Sequence, residues 1–140
     1  MAYQYCIDPE INCVFVQHYD AVDYGEGLDA FDEVLQDLSF HIGLNILHDL
    51  SRADLPEILS EVKYLTDNRR RVAEIDTRLG QCRVAFVVKS ADDFAIAHRI
   101  SITIRPVTQV ERKPFRDLGK AREWLGIPDD YEIKYPDAIE

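Results

Sequence analysis

The sequence predicts a single-domain α/β fold with about five strands and about four helices, in the order β-β-α-β-α-β-α-β-α. Two observations carry this. Short apolar or alternating runs at residues 2–7, 13–19, 44–50, 82–88 and 108–113 have the length and composition of strands. The stretches after the second strand carry apolar residues at helical spacing. The composition, 46% hydrophobic and 30% charged, is that of a globular chain. No linker is long enough to divide the 140 residues, so 1–126 reads as one domain, followed by an acidic C-terminal tail at 127–140.

The first two strands flank Asp8, Pro9, Glu10, Ile11 and Asn12, a segment rich in turn formers, and so predict a β-hairpin. A first helix follows, with Asp23 and Glu26 as a capping box and Tyr24, Leu28, Phe31, Leu35 and Leu38 as its apolar stripe. Glu26, Asp29, Asp32, Glu33 and Asp37 make its other face acidic. The third strand is expected to end at Asp49. Asp54 and Glu57 then cap a second helix, with Pro56 in its first turn and Leu55, Ile58, Val62, Leu65, Val72 and Ile75 in phase until Gly80. The run 82–88 is apolar apart from Arg83, as in a strand covered on both faces. Ser90 and Asp93 cap a third helix along Phe94, Ala97, Ile100 and Ile104. Whether residues 100–104 stay helical or become extended is open, because Ile100, Ile102 and Ile104 alternate with Ser101 and Thr103. A last helix spans 115–125, stopped by Gly126 and Pro128. Whether the tail is ordered is also open.

Charge is unevenly spread. Residues 1–51 hold ten acidic residues and no Lys or Arg, while the remainder is neutral. An acidic first third opposes nucleic acid, whose binding needs clustered unopposed Lys and Arg. It is read as a solvated face that aids solubility, with a docking surface for a basic partner as the sharper alternative. No apolar run approaches 18 residues and no charged-then-apolar leader opens the chain, so neither a membrane span nor a signal peptide is expected. Cys6, Cys13 and Cys82 are too few for a disulfide framework and point to a reducing cytoplasm, with Cys6 and Cys13 opposite each other on the hairpin.

The motifs that carry chemistry are weak. Gly25-Glu26-Gly27-Leu28-Asp29-Ala30 fits G-x-G-x-x-A, but it lies too far past the strand, and Asp20, Asp23, Glu26 and Asp29 oppose a pyrophosphate. A phosphate-loop reading of Gly119-Lys120 fails because Pro114 stands where a glycine is needed. His48 and Asp49, with Ser51 or Cys82 as nucleophile, are a poor catalytic set, since adjacent strand residues point to opposite faces. A histidine at the core's edge and an aspartate bonding turn N–H groups explain them better. Arg69, Arg70 and Arg71, with Lys63 and Arg78, interleave with Asp67, Glu74 and Asp76, which favours pairing within the helix. Ile96 and Ile102 lie off the stripe of the third helix. They mark either a homodimer face or an apolar cleft against the second helix, with Phe94, Ile100, Leu65 and Arg69 as neighbours. As a monomer, the chain would cover these isoleucines with Tyr131, Ile133 and Tyr135 of its tail. Asp49, Ser51 and Asp54 form a candidate turn site.

The hairpin start, residues 44–50, the run 82–88 and the ending Phe115-Arg116-Asp117-Leu118 with Ala121, Trp124, Leu125 and Gly126 resemble the SpoIIAA-like STAS/SEC14 family. The resemblance implies a four-turn β-α superhelix with a mixed sheet, antiparallel at the hairpin and otherwise mostly parallel. It also implies regulatory protein binding or apolar-ligand binding, not catalysis. Asp54 matches the aspartate of the family's D-S-S-G-L element, but Leu55, Pro56 and Glu57 follow it. The phosphoserine switch therefore does not carry over.

Two functions follow as expectations. One is a non-catalytic regulatory or binding module that engages a protein partner, itself included. The other is a binder of a small apolar or lipid-like ligand between the second and third helices. No catalytic residue, metal ligand or cofactor is assigned, and nucleic acid is not an expected partner.

Overall fold

The computed structural model describes residues 3–22, 25–104 (backbone alone at 104) and 109–137. Asp8 accepts a hydrogen bond from Glu10 N at 3.0 Å, Pro9 opens a 3-10 turn (Pro9–Ile11), and Asn12 takes a left-handed φ of 55°. The chain reverses there, so β1 (Tyr3–Asp8) pairs antiparallel with β2 (Cys13–Ala21). Cys6 faces Phe15 and Cys13 faces Asp8, so the two thiols are diagonal neighbours rather than opposite each other. All three cysteines are free, and burial pushes the Cys6 and Cys82 thiols up to about 11.

The sheet continues in parallel through β3 (Asn45–Asp54), β4 (Arg83–Val87) and β5 (Glu111–Phe115), in the spatial order β1-β2-β3-β4-β5. Crossovers of one hand between sequential neighbours place their helices on one face. Helices α1 (Glu26–Gln36), α3 (Arg69–Leu79) and α4 (Ala91–Ile104) accordingly cover Val14, Val16, Ile46, Leu50, Val84 and Val88. The other face buries Phe15, Leu47, Ala85 and Val87 under α5 (Leu118–Leu125) and the segment after it. Burying such side chains stabilises by roughly 1.5–3 kcal/mol each. Asp117 caps α5 by accepting from Lys120 N at 3.2 Å, and Gly126 at φ 75° ends it.

Residues 127–137 lie across this second face. Tyr131 stacks on Phe15 and donates its hydroxyl to Asp8 at 2.7 Å, while Gln4 and Asp137 exchange two hydrogen bonds at 2.9 Å. Tyr131, Ile133 and Tyr135 thus cover the sheet face opposite α4, not the isoleucines of α4.

The mixed sheet and four β-α turns are as expected, but several elements differ. No turn follows Leu50. Gln17 pairs with Asp49 and Tyr19 with Arg52, so β3 carries one extra residue and bulges there. Asp49 Oδ1 accepts from Ser51 N at 3.0 Å and from its hydroxyl at 2.6 Å, tying the bulge, and the strand runs on to Asp54. The second helix is not continuous. Pro56 bars Leu55 from helical backbone, a 3-10 turn (Glu57–Ser60) replaces the capping box, and α2 (Val62–Asp67) meets α3 at Asn68. Asn68 Nδ2 bonds Tyr64 O at 2.9 Å, the local competition that makes asparagine break helices.

In α1, Asp37 turns extended and binds Ser39 N at 2.8 Å, so Leu38 leaves the stripe and is fully exposed. Asp23 and Tyr24 lie outside the described residues. So does Thr108 of the last strand; among the described residues Gln109 and Val110 are not strand, which runs over Glu111–Phe115, and α5 begins at Leu118 rather than 115. Helix α4 holds through Ile104, with Ser101 and Thr103 donating back to Ala97 O and Arg99 O at 2.8 and 2.7 Å.

Of the basic stretch, Lys63–Asp67 and Arg70–Glu74 pair within their helices. Arg71 instead reaches α1, 2.6 Å from both Asp29 and Asp32. The acidic face of α1 is therefore partly neutralised from within. Such half-exposed pairs contribute less than about 1 kcal/mol.

Candidate functional site

The alternation of β2, β3 and β4 places Val16, His48 and Phe86 side by side on the helix-covered face, with His18 two residues beyond Val16. Beyond them, at the carboxyl ends of the strands, lies a cavity of about 130 Å³. Open α/β sheets hold ligands at this end. Gly27, Leu28 and Phe31 of α1 line one side and Ala97 and Ile100 of α4 another; Leu55, Leu59 and Tyr64 form the roof. The roof is fastened at both ends. Asp54 pairs with Lys89, and Arg99 donates to the buried Ser60 hydroxyl at 3.2 Å.

One wall is polar. His18 Nδ1 lies 2.7 Å from Glu26 Oε2, and His18 Nε2 lies 3.2 Å from His48 Nδ1. All three residues are buried, at 1%, 0% and 2% exposure. His48 stacks between His18 and Phe86, its ring 5.4 Å from each, and meets the edge of Phe31 at 4.8 Å. Among the described residues its Nε2 has no hydrogen-bond partner. Burial, then the neighbouring His18 and Arg112, hold His48 well below the usual imidazole range. His18 is lowered as well, burial outweighing the carboxylates of Glu26 and Asp49. Arg112, from β5, completes the wall, its guanidinium 2.6 Å from the buried Asp76 of α3.

Of the candidate cleft residues, only Ile100 lines this cavity. Phe94 is half-buried beside it and borders a wider groove of about 700 Å³ along the free edge of β5, with His98 and Trp124. Ile96 is buried within its own chain, so it needs no partner to cover it. Ile102 is exposed, Leu65 half-buried, and Arg69 exposed at the start of α3. The candidate turn residues separate. Asp49 and Ser51 tie the bulge, while Asp54, at the strand's end, pairs with Lys89. His48 and Asp49 point to opposite faces, as alternation requires.

The sequence reading missed Glu26, which it placed on the solvated acidic face, and the Asp76–Arg112 pair. A histidine at an even position of two neighbouring strands was the available signal for a polar spot in the core. Among the described residues no group of three or more His, Cys, Asp or Glu is placed to hold a metal ion, and no helix is long and apolar enough to cross a membrane.

No protein-family profile matches the chain, and no curated protein sequence matches it significantly. A solved structure does. The crystal structure of an uncharacterized protein from the DUF3478 family with a SpoIIAA-like fold, from Shewanella loihica PV-4, superposes with a TM-score of 0.54. The two share 15% identity, over 89% of this chain and 94% of the other. The fold is SpoIIAA-like. The resemblance read from the hairpin, the central strands and the closing helix therefore holds at the level of architecture. Within this SpoIIAA-like fold the segment after Asp54 is the cavity's roof, and its apolar Leu55 and Leu59 stand over the polar wall.

Proposed function

We propose that the protein is a non-catalytic binding module whose ligand is a small, largely apolar molecule held at the carboxyl ends of its parallel strands. The SpoIIAA-like fold supports a regulatory or binding module. The cavity is the observation that carries the ligand. It is partly open to solvent, and its space, walled by Phe31, Phe86, Tyr64 and Ile100, is close to the scale that admits a benzene ring.

Gly27 supplies the test. It lines the cavity, its φ is unstrained, and a Cβ there would meet nothing within 4 Å. Gly27→Ala should therefore raise stability by about 0.5–1 kcal/mol in urea unfolding, through lost chain entropy alone. Saturable binding of small aromatic probes, followed by NMR titration, is expected for the wild type and should weaken at least tenfold in Gly27→Leu. Absence of saturable binding to the wild type rejects the ligand reading.

The first alternative is a protein partner, a second copy included. Ile102 is 47% exposed on α4, and Val62 is 76% exposed on α2, which packs against α4. With Ile96 buried internally, a dimer face on α4 would rest on Ile102 and Val62. The free edge of β5 is poorly suited to strand addition, because Pro114 removes a donor from its middle. Light scattering at tens of micromolar decides: a particle of 16.2 kDa rejects the homodimer, and a dimer that survives Ile102→Glu rejects this face.

A further inference from the structure

We infer that the free edge of β1 is a docking site for an extended, basic segment of a partner protein, which adds to the sheet as a further strand. Neither the cavity nor α4 takes part in it.

The two edges of the sheet are unlike. In β5, Pro114 removes a donor and the exposed Glu111 and Lys113 carry charge, devices by which proteins keep an edge from pairing. β1 has none of them. Its run Tyr3-Gln4-Tyr5-Cys6-Ile7-Asp8 holds no proline, no cation and no acid before its last residue, and all six residues pair with β2 without a bulge. Every second residue of such a strand turns its N–H and C=O outwards, and no described strand meets them. A groove of about 520 Å³ runs along this edge, with Glu33 and Asp37 of α1 on one side and Pro136 and Asp137 on the other.

Charge selects what the groove accepts. Tyr3 and Tyr5 donate their hydroxyls to Glu33 and Asp37 at 3.0 and 2.8 Å, and Asp137 bonds Gln4 through its main chain. Among the described residues no ion pair takes up these three carboxylates, whereas Arg71 takes up Asp29 and Asp32 earlier in α1. A second copy is the wrong occupant. Two β1 strands paired about a two-fold axis would bring the α1 carboxylates of both chains to one shared edge, and residues 1–51 hold no Lys or Arg to offset them. The β5 edge of another copy is barred by its proline. A segment with Lys or Arg at every second position has the complement. Alternate side chains of an added strand share one face, so its cations line the α1 wall while its main chain pairs with β1.

The probe is a hexapeptide of alternating arginine and threonine with blocked ends, titrated into the intact chain and followed by NMR. It should bind saturably, and a peptide of alternating glutamate and threonine at least tenfold more weakly. Glu33→Lys, at an exposed position, should weaken the arginine peptide at least tenfold. Glu123→Lys, the same exposed change on α5, should weaken it less than twofold. Hydrogen exchange separates strand addition from attraction of charge alone. The outward N–H groups of β1 should exchange readily in the free protein and at least tenfold more slowly in the complex. No saturable binding, equal binding of the two peptides, equal losses in the two variants, or binding that leaves β1 exchange unchanged overturns the inference. So does protection of these groups in the free chain that grows with protein concentration, which would make a second copy the occupant.

Discussion

Acidification from pH 7 to pH 5 should lower the unfolding free energy through His48, with a further loss through His18. Both imidazoles are held below their usual value of 6.5 in the folded protein, chiefly by burial. Below pH 6.5 the unfolded chain therefore binds protons that the folded chain refuses. Stability is whole above that pH and declines as the pH falls, by about 1.4 kcal/mol per pH unit for each histidine that stays neutral. Among the carboxylates, Asp37 is shifted downward from 3.8 by hydrogen bonds from Ser39 and Tyr5, and Asp93 upward by burial. Urea unfolding at pH 7, 6 and 5 measures the slope. His48→Phe removes one of the two refused protons and should flatten it by about half. A wild-type stability that is level between pH 7 and 5 would mean that neither histidine is buried as described.

The same pair of histidines shows what the sequence made legible and where it stopped. The hairpin, the mixed five-stranded sheet and most helices could be read because local chemistry agreed with the fold. Pro9 and Asn12 suit a reversal, Ser90 and Asp117 suit helix caps, and Gly126 suits a stop. The reading failed where one local signal serves two structures. The Asp49 carboxylate accepts from the Ser51 N–H and hydroxyl in a bulge as readily as in a turn, so the strand seemed to end five residues early. The apolar phase from Leu55 to Ile75 holds only beyond the break at Asn68, where Val72 and Ile75 are buried, whereas Ile58 and Val62 before it are exposed.

The polar wall was hidden for a different reason. Periodicity assigns Glu26 to the acidic face of α1, but the first turn of that helix sits against the end of β2, where His18 waits 2.7 Å away. The chain's direction there, not its hydropathy, buries the carboxylate. His48 stood out as a histidine within an apolar run and was placed at the core's edge, whereas it is fully buried. That it joins His18 and Glu26 follows from the parallel register of β2 and β3, which no single segment encodes.

Removing the carboxylate of Asp76 should be the most damaging single change, costing about 3–5 kcal/mol in Asp76→Ala. Asp76 Oδ1 lies 2.6 Å from the Arg112 guanidinium, and both side chains are at most 5% exposed. The pair joins α3 to β5, the edge strand of the sheet. Losing one member leaves a cation or an anion in a dry interior, and that exposure to low dielectric, rather than the lost contact, sets the size of the effect. The pair itself is not expected to be strongly stabilising, because bringing both charges out of water offsets most of their attraction. Asp76 Oδ2 has no partner among the described residues, so the carboxylate is only half used. The combination Asp76→Leu with Arg112→Met should therefore recover most of the loss, within about 1 kcal/mol of the wild type, and a double-mutant cycle in urea measures the difference. Arg112 also faces the cavity and helps hold His48 neutral. Arg112→Met should then raise the pH at which His48 takes up a proton, whereas Asp76→Ala, which takes the carboxylate away from the cation, should lower it. A double variant as unstable as Asp76→Ala would show that the ion pair does more than cancel its own burial.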